Sequence, residues 1–192
     1  MDARLVAWAR AVKSRHRHTR PLPPLWLFTD ADRMPDPAAV VLTLPFGLCG
    51  VVFRHDAAPD RGALARRTAV ACRRRRAILI VAGSAIPGLR APGHRRSGRG
   101  HGTGTASAHG VPELVRAGRS GAAACFLSPV FPTASHPGAQ ALGVLRWASM
   151  ARRAGCPVMA LGGIDGRTVR RLPCWATGAG AIGALLPPER PL

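Results

Sequence analysis

Short apolar runs recur along this chain, and helix-like stretches separate most of them. "LWLFT" (25 to 29), "GVVF" (50 to 53), "AILIVAG" (77 to 83), "GTAS" (104 to 107), "AAACFLS" (122 to 128), "PVMALGG" (157 to 163) and "GAGAIGAL" (178 to 185) read as buried strands. Between them, "DRGALARRTAVACRRRR", "VPELVRAGRSG" and "LGVLRWASMARRAG" carry helical spacing, and "DGRTVRRL" reads as a helix start. Alternation at this pitch predicts βαβ units and a parallel sheet. A weak further strand at "GLRAP" (88 to 92) brings the total to eight, enough to close a small (β/α)8 TIM barrel. The glycine- and arginine-rich span 84 to 104 has no room for a helix and predicts a shortened third β/α unit.

Residues 2 to 17 show Leu5, Val6, Trp8, Ala9 and Val12 at helical spacing, an extra helix ahead of the first strand. Its basic tail meets "PLPP", which stops it. The expected organisation is an N-terminal helix and basic linker over 1–21, then one barrel domain over 22–192.

Composition narrows the class. The chain is 47% hydrophobic, which suits a globular protein, and no apolar run reaches the ~18 residues of a membrane span. The five cysteines, Cys49, Cys72, Cys125, Cys156 and Cys174, are scattered without a CxxC pair and read as reduced core thiols. With no signal-peptide pattern at the start, the expected location is the cytoplasm. Net charge is +19, almost all of it arginine. Much of that charge reads as solvated surface, because "RRRR" at 73 to 76 sits at a helix end, where cations suit the dipole. Nucleic-acid binding is disfavoured: without tyrosine, and with only 5% aromatic residues, stacking platforms are scarce.

In such barrels the reacting groups follow the C-terminal ends of the strands. Those positions hold Asp30; then Arg54, His55 and Asp56; then Ser107 and His109; then Ser128 with "PTASH"; and finally Gly162-Gly163 leading to Asp165. Free N–H groups at a glycine-rich helix start suit a phosphate. The hydroxyls and imidazole of Thr133, Ser135 and His136 can donate hydrogen bonds to an anionic ligand.

"SPVFPTASHPGAQALG" followed by "PVMALGGID" resembles the thiamine-phosphate synthase/TenI family, whose members carry a G-P-V-F-x-T-x-T-K loop and a P-V-x-A-I-G-G-I strand end. "LWLFTD", "VVFRHD" and "TASAHGVPELVRAGRSGA" stand upstream in the family's order. The resemblance implies a TIM barrel joining hydroxymethylpyrimidine diphosphate to a thiazole phosphate, with pyrophosphate released and Mg²⁺ as cofactor. By position it implies Arg54 on the diphosphate and Ser107 on the pyrimidine. Thr133 and Ser135 would flank both rings, His136 would stand in the motif's lysine position, and Gly162 and Gly163 would hold the thiazole phosphate. The implied partners are these small phosphorylated molecules, with no membrane; a homo-oligomer stays open.

The sequence also departs from the pattern. Of Q-x-R-x-K after the second strand only Arg54 remains, and the Asn-Asp pair after the third aligns with Ala82-Gly83. The metal aspartate after the fourth falls in "RAPGHRRSGRG", which has no acid, so the usual carboxylate ligands are missing. Arg54, Arg90, Arg95 and Arg96 are candidates to neutralise phosphate charge instead. Pro129 stands where the tautomerase branch has histidine, which favours the synthase form, though His136 remains a candidate acid or base. The alternative function is a degenerate paralogue that binds a thiamine intermediate or a partner without turnover.

Overall fold

The computed structural model describes residues 1–16, 22–95, 104–133 and 138–187. Eight parallel strands close on themselves in sequence order: β1 (Leu25–Phe28), β2 (Cys49–Phe53), β3 (Ile78–Ala82), β4 (Gly93–Arg95), β5 (Thr105–Ala108), β6 (Ala124–Leu127), β7 (Val158–Ala160) and β8 (Ala179–Ala181). Closure is made where Leu25 of β1 registers with Ala179 of β8. The helices are α1 (Ala3–Arg15), α2 (Pro37–Thr43), α3 (Arg61–Arg75), α4 (Val111–Arg119) and α5 (Gly143–Ala151). The expected TIM barrel, its shortened third unit and its extra N-terminal helix are all present. Among the described residues no helix is long and apolar enough to cross a membrane.

The interior is filled by alternate residues of these short strands. Trp26, Phe28, Val52, Ile80, Phe126 and Met159 form one buried cluster inside the barrel. Phe126 meets Trp26 edge-on at 5.5 Å and Phe28 at 4.7 Å. Such pairs add roughly 0.5–1.5 kcal/mol each beyond their burial. Rings this large need gaps opposite them. A Cβ on Gly50 would lie 2.4 Å from the Trp26 ring, and one on Gly180 would lie 2.8 Å from that of Phe28.

Three local expectations are corrected, and one helix stands where none was expected. The eighth strand is at 93–95, not 88–92. It pairs Val81 with Gly93 and His94 with Thr105, and "GLRAP" is a connection in which Leu89 packs beside Phe53 and Leu64. A three-residue strand reading Gly-His-Arg has no hydrophobic alternation to signal it. Its interior position is taken by His94, buried edge-on to Phe28 and paired through Nδ1 with the Thr105 hydroxyl at 2.9 Å. Second, α2 follows β1 unannounced by any amphipathic pattern. Asp36 caps it by accepting from the Ala38 N–H, and Pro37 opens it. Third, "DGRTVRRL" makes only a 3-10 turn at Val169–Arg171. Finally, "GAGAIGAL" divides into β8 and a 3-10 turn at Gly183–Leu185.

With only such turns after β7 and β8, α1 covers that part of the wall. Leu5 and Ala9 are buried in the same cluster as Leu25, Val169 and Leu185. Asp2 ties the helix start to the upper loops: its N–H donates to the Ala184 carbonyl, and its carboxylate accepts from the Gly166 N–H at 2.7 Å. At the other end Arg15 donates to the Cys174 carbonyl, and Lys13 to that of Gly47. The helix thus runs from rim to base, antiparallel to the strands.

Of the five thiols, Cys49, Cys72 and Cys125 are buried, Cys156 is half-buried and Cys174 is exposed. Burial pushes Cys49 and Cys72 up to about 12, and raises Cys125 as well. Iodoacetamide should therefore modify Cys174 first in the native protein. The three buried thiols should react only after unfolding, as read by mass spectrometry; rapid native labelling of Cys125 would contradict the packing. Gly50→Ala should cost about 1–3 kcal/mol by overpacking against Trp26, measured as a lower urea midpoint at unchanged slope.

Candidate functional site

A cavity of about 580 Å³ opens at the C-terminal rim, over β6, β7, β8 and β1. Phe28 and Leu161 contribute apolar surface; Ser128, Thr133, His109 and Thr168 bring polar groups; Arg33, Arg54 and Arg171 bring cations. Apolar walls with a few convergent polar groups are the usual make-up of a small-molecule site.

The segment after β6 forms one wall by pairing with the end of β7. Val130 N–H donates to the Leu161 carbonyl at 2.9 Å, and Phe131 N–H to that of Gly162 at 3.1 Å. This explains "SPVFPT": the apolar pair Val130 and Phe131 is buried while its N–H groups bond the segment after β7, delivering Thr133 to the rim. The opposing turn has to be glycine. Gly162 and Gly163 both have positive φ (91 and 63), and a Cβ on Gly163 would lie 2.4 Å from the Pro132 carbonyl. Among the described residues, the N–H groups of Gly162 and Gly163 donate to no protein acceptor. Asp165 then closes an Asx turn, accepting from Arg167 N–H at 2.8 Å and Thr168 N–H at 2.7 Å. The Thr168 bond holds its carboxyl below the usual carboxylate range.

Arg54 is fixed on the opposite side. Its Nε donates to the Thr29 carbonyl at 3.0 Å, its N–H to the Thr29 hydroxyl at 2.8 Å, and its guanidinium lies 5.7 Å from the Phe28 ring centroid. Thr29 is itself held by His55, whose Nδ1 lies 3.0 Å from the hydroxyl and whose Nε2 lies 3.0 Å from the Met34 carbonyl. A carbonyl only accepts, so Nε2 carries the proton and Nδ1 accepts from Thr29. His55, 2% exposed and stacked on Phe53, therefore pins the loop that carries Arg33.

The sequence-derived candidates distribute unevenly. Arg54, Thr133, Gly162 and Gly163 border the cavity. Ser107 does not; its hydroxyl donates to the Arg95 carbonyl at 3.5 Å. Ser135 and His136 lie outside the described residues, as does Arg96. Arg90 is exposed and Arg95 half-buried, and neither borders the cavity; Arg33 and Arg171 do. These two come from the loop after β1 and the turn after β7, and only their rim positions could have signalled them. His109 also borders the cavity. Its Nδ1 donates to the Ser128 carbonyl at 2.9 Å, which leaves Nε2 as an acceptor.

A Mg²⁺ site needs oxygen ligands, typically one or two carboxylates besides phosphate oxygens. Among the described residues no three His, Cys, Asp or Glu side chains cluster to hold a metal. Asp30 faces Arg54 at 3.8 Å and Asp56 faces Arg61 at 3.4 Å. Asp2 and Asp165 are turned onto backbone N–H groups. The residues present do not fit the metal site that the family pattern implies.

A closed parallel barrel with its cavity at the C-terminal rim defines the class as a TIM-barrel protein with the ligand end in its usual place. Comparison with known proteins narrows this. The family model described as thiamine monophosphate synthase matches residues 102–185. A curated Aquifex aeolicus (strain VF5) protein named "Putative thiamine-phosphate synthase 2" is 35% identical over 79 residues, 41% of this chain and 41% of that protein. The aligned part thus spans under half the length of that relative. The solved thiamine phosphate pyrophosphorylase from Pyrococcus furiosus superposes with a TM-score of 0.71 at 21% identity, covering 83% of this chain and 85% of its own, and shows the same fold. Residues 102–185 are thus similar to the thiamine monophosphate synthase family, and the barrel as a whole shares the fold of the pyrophosphorylase.

Because the Asp165 carboxyl titrates below its unfolded range, its contribution is complete above about pH 4 and is lost as pH falls through the lower folded value. Asp165→Ala should cost about 1 kcal/mol at neutral pH. The gap to the wild type, followed by urea unfolding at several pH values, should close on acidification below that range.

Proposed function

We propose that this protein is a thiamine-phosphate synthase. The reading rests chiefly on one observation: a single rim cavity has the Gly162–Gly163 turn on one wall and Arg54, anchored by Thr29, on another. The two walls suit a phosphate monoester and a diphosphate, the anionic ends of the two substrates. The cavity between them can take two small rings; about 580 Å³ lies within the range of small-molecule sites.

In the reaction, the C–O bond of the pyrimidine methylene diphosphate breaks and pyrophosphate leaves with the electron pair. The thiazole nitrogen then supplies its lone pair to the methylene carbon. The protein's share is positioning and charge compensation. Arg54 would hold the departing diphosphate, and Phe28 would give the rings an apolar floor. Thr133 would border them from the segment after β6, and Ser135 and His136 are candidates for the same anionic contacts on the sequence motif alone.

A second reading, binding of a thiamine intermediate without turnover, is favoured by the engagement of the rim carboxylates with arginines and N–H groups. Turnover separates the two. Purified protein supplied with hydroxymethylpyrimidine diphosphate and thiazole phosphate, with Mg²⁺ present, should yield thiamine phosphate. Arg54→Ala should lower kcat/KM by about 10- to 100-fold, the cost of losing a charged hydrogen-bond partner, and Thr133→Ala and His136→Ala should also reduce it. Tight binding of thiazole phosphate with no product would favour the second reading.

A further inference from the structure

We infer that the cavity binds pyrophosphate, or the diphosphate end of an organic ligand, through arginine side chains without a divalent cation. The inference rests on the synthase reading for the kind of anion, and on the structure for the missing metal.

The whole chain has nine Asp and Glu residues. Of the stretches outside the described residues, 17–21, 96–103 and 134–137 contain none, and 188–192 contains Glu189 alone. No hidden carboxylate can therefore reach the rim from the loop after β4 or the loop after β6. The acids nearest the rim already serve other partners. Asp30 accepts from the Arg33 N–H and faces Arg54 at 3.8 Å. Asp56 faces Arg61 at 3.4 Å, and that guanidinium also donates to the Ala82 and Ser84 carbonyls. Asp32 is exposed on the loop after β1 and does not border the cavity.

The rim after β3 points the same way. Gly83 has a φ of +67, and a Cβ there would lie 2.6 Å from the Asp56 carboxylate. The space that a metal-binding side chain would need at this position is filled by an acid neutralised by Arg61. A divalent cation arriving here would meet a guanidinium in place of a free carboxylate.

The cavity meanwhile carries three guanidinium groups, Arg33, Arg54 and Arg171. The acids that border it, Asp2 and Asp165, are turned onto the N–H groups of Arg4, Gly166, Arg167 and Thr168. Guanidinium groups bind phosphate oxygens bidentately and stay charged at any working pH. Several of them around one apolar-floored cavity supply the positive potential that a bound cation otherwise provides.

The test is titration calorimetry of the intact protein with inorganic pyrophosphate, in EDTA and again in excess Mg²⁺. Binding should be measurable in EDTA and should not strengthen with Mg²⁺. Arg33→Gln, on an exposed loop residue that should leave the fold intact, should weaken it by about tenfold. Asp56→Asn should leave it unchanged. Binding seen only with Mg²⁺, or no binding in either buffer, would overturn the inference, as would a Kd in EDTA unaffected by both Arg33→Gln and Arg54→Gln. The synthase reading fails separately: pyrophosphate bound in EDTA by a protein that forms no thiamine phosphate removes turnover and leaves the arginine site standing.

Discussion

Everything at the rim depends on how this narrow barrel fills its centre. Its strands run only three to five residues, so a few side chains must occupy the whole interior. Trp26, Phe28 and Phe126 do so in edge-to-face contact, over positions where Gly50 and Gly180 leave room. Phe28 belongs to both levels. It packs on Phe126 below, borders the cavity above, and lies beneath the Arg54 guanidinium. The arginine that faces the ligand is therefore referenced to the least compressible part of the molecule.

Backbone pairing carries that rigidity outward on the other side. The segment after β6 is held against the end of β7 by the bonds from Val130 and Phe131, and it fits only because Gly162 and Gly163 have no side chains. Asp2 ties the loops after β7 and β8 together through Gly166 and Ala184. The N-terminal helix is thus both wall and brace, making up for the short turns that follow those strands. Preorganisation of this kind is what a reaction relying on positioning requires.

The electrostatic pattern at the rim follows from composition. With few acids and many arginines, Asp30 and Asp56 face guanidinium groups, Asp2 and Asp165 accept from N–H groups, and no metal cluster forms among the described residues. The compositional skew visible in the whole chain has reached the site itself. Its consequence there is a cavity bordered by three guanidinium groups, with its two carboxylates held by backbone N–H groups.

By itself the sequence determined the barrel class, because alternation of buried strands and amphipathic helices is a local signal, and α1, α3, α4 and α5 all carry it. The motif around Gly162-Gly163 was equally legible, since positive φ and close backbone approach admit glycine alone. Tertiary structure alone decided the rest. The fourth strand is held by pairing and by the His94–Thr105 bond, with no hydrophobicity of its own to read. The continuous apolar run that forms α2 fits strand and helix alike, until packing against α3 and capping by Asp36 select the helix. Arg33, Arg171 and His109 join Arg54 at one cavity from four separate loops, a convergence that spacing along the chain cannot encode. Ser107 shows the converse: its place at a strand end put it near the rim, but in the folded barrel its hydroxyl meets the Arg95 carbonyl and it does not border the cavity.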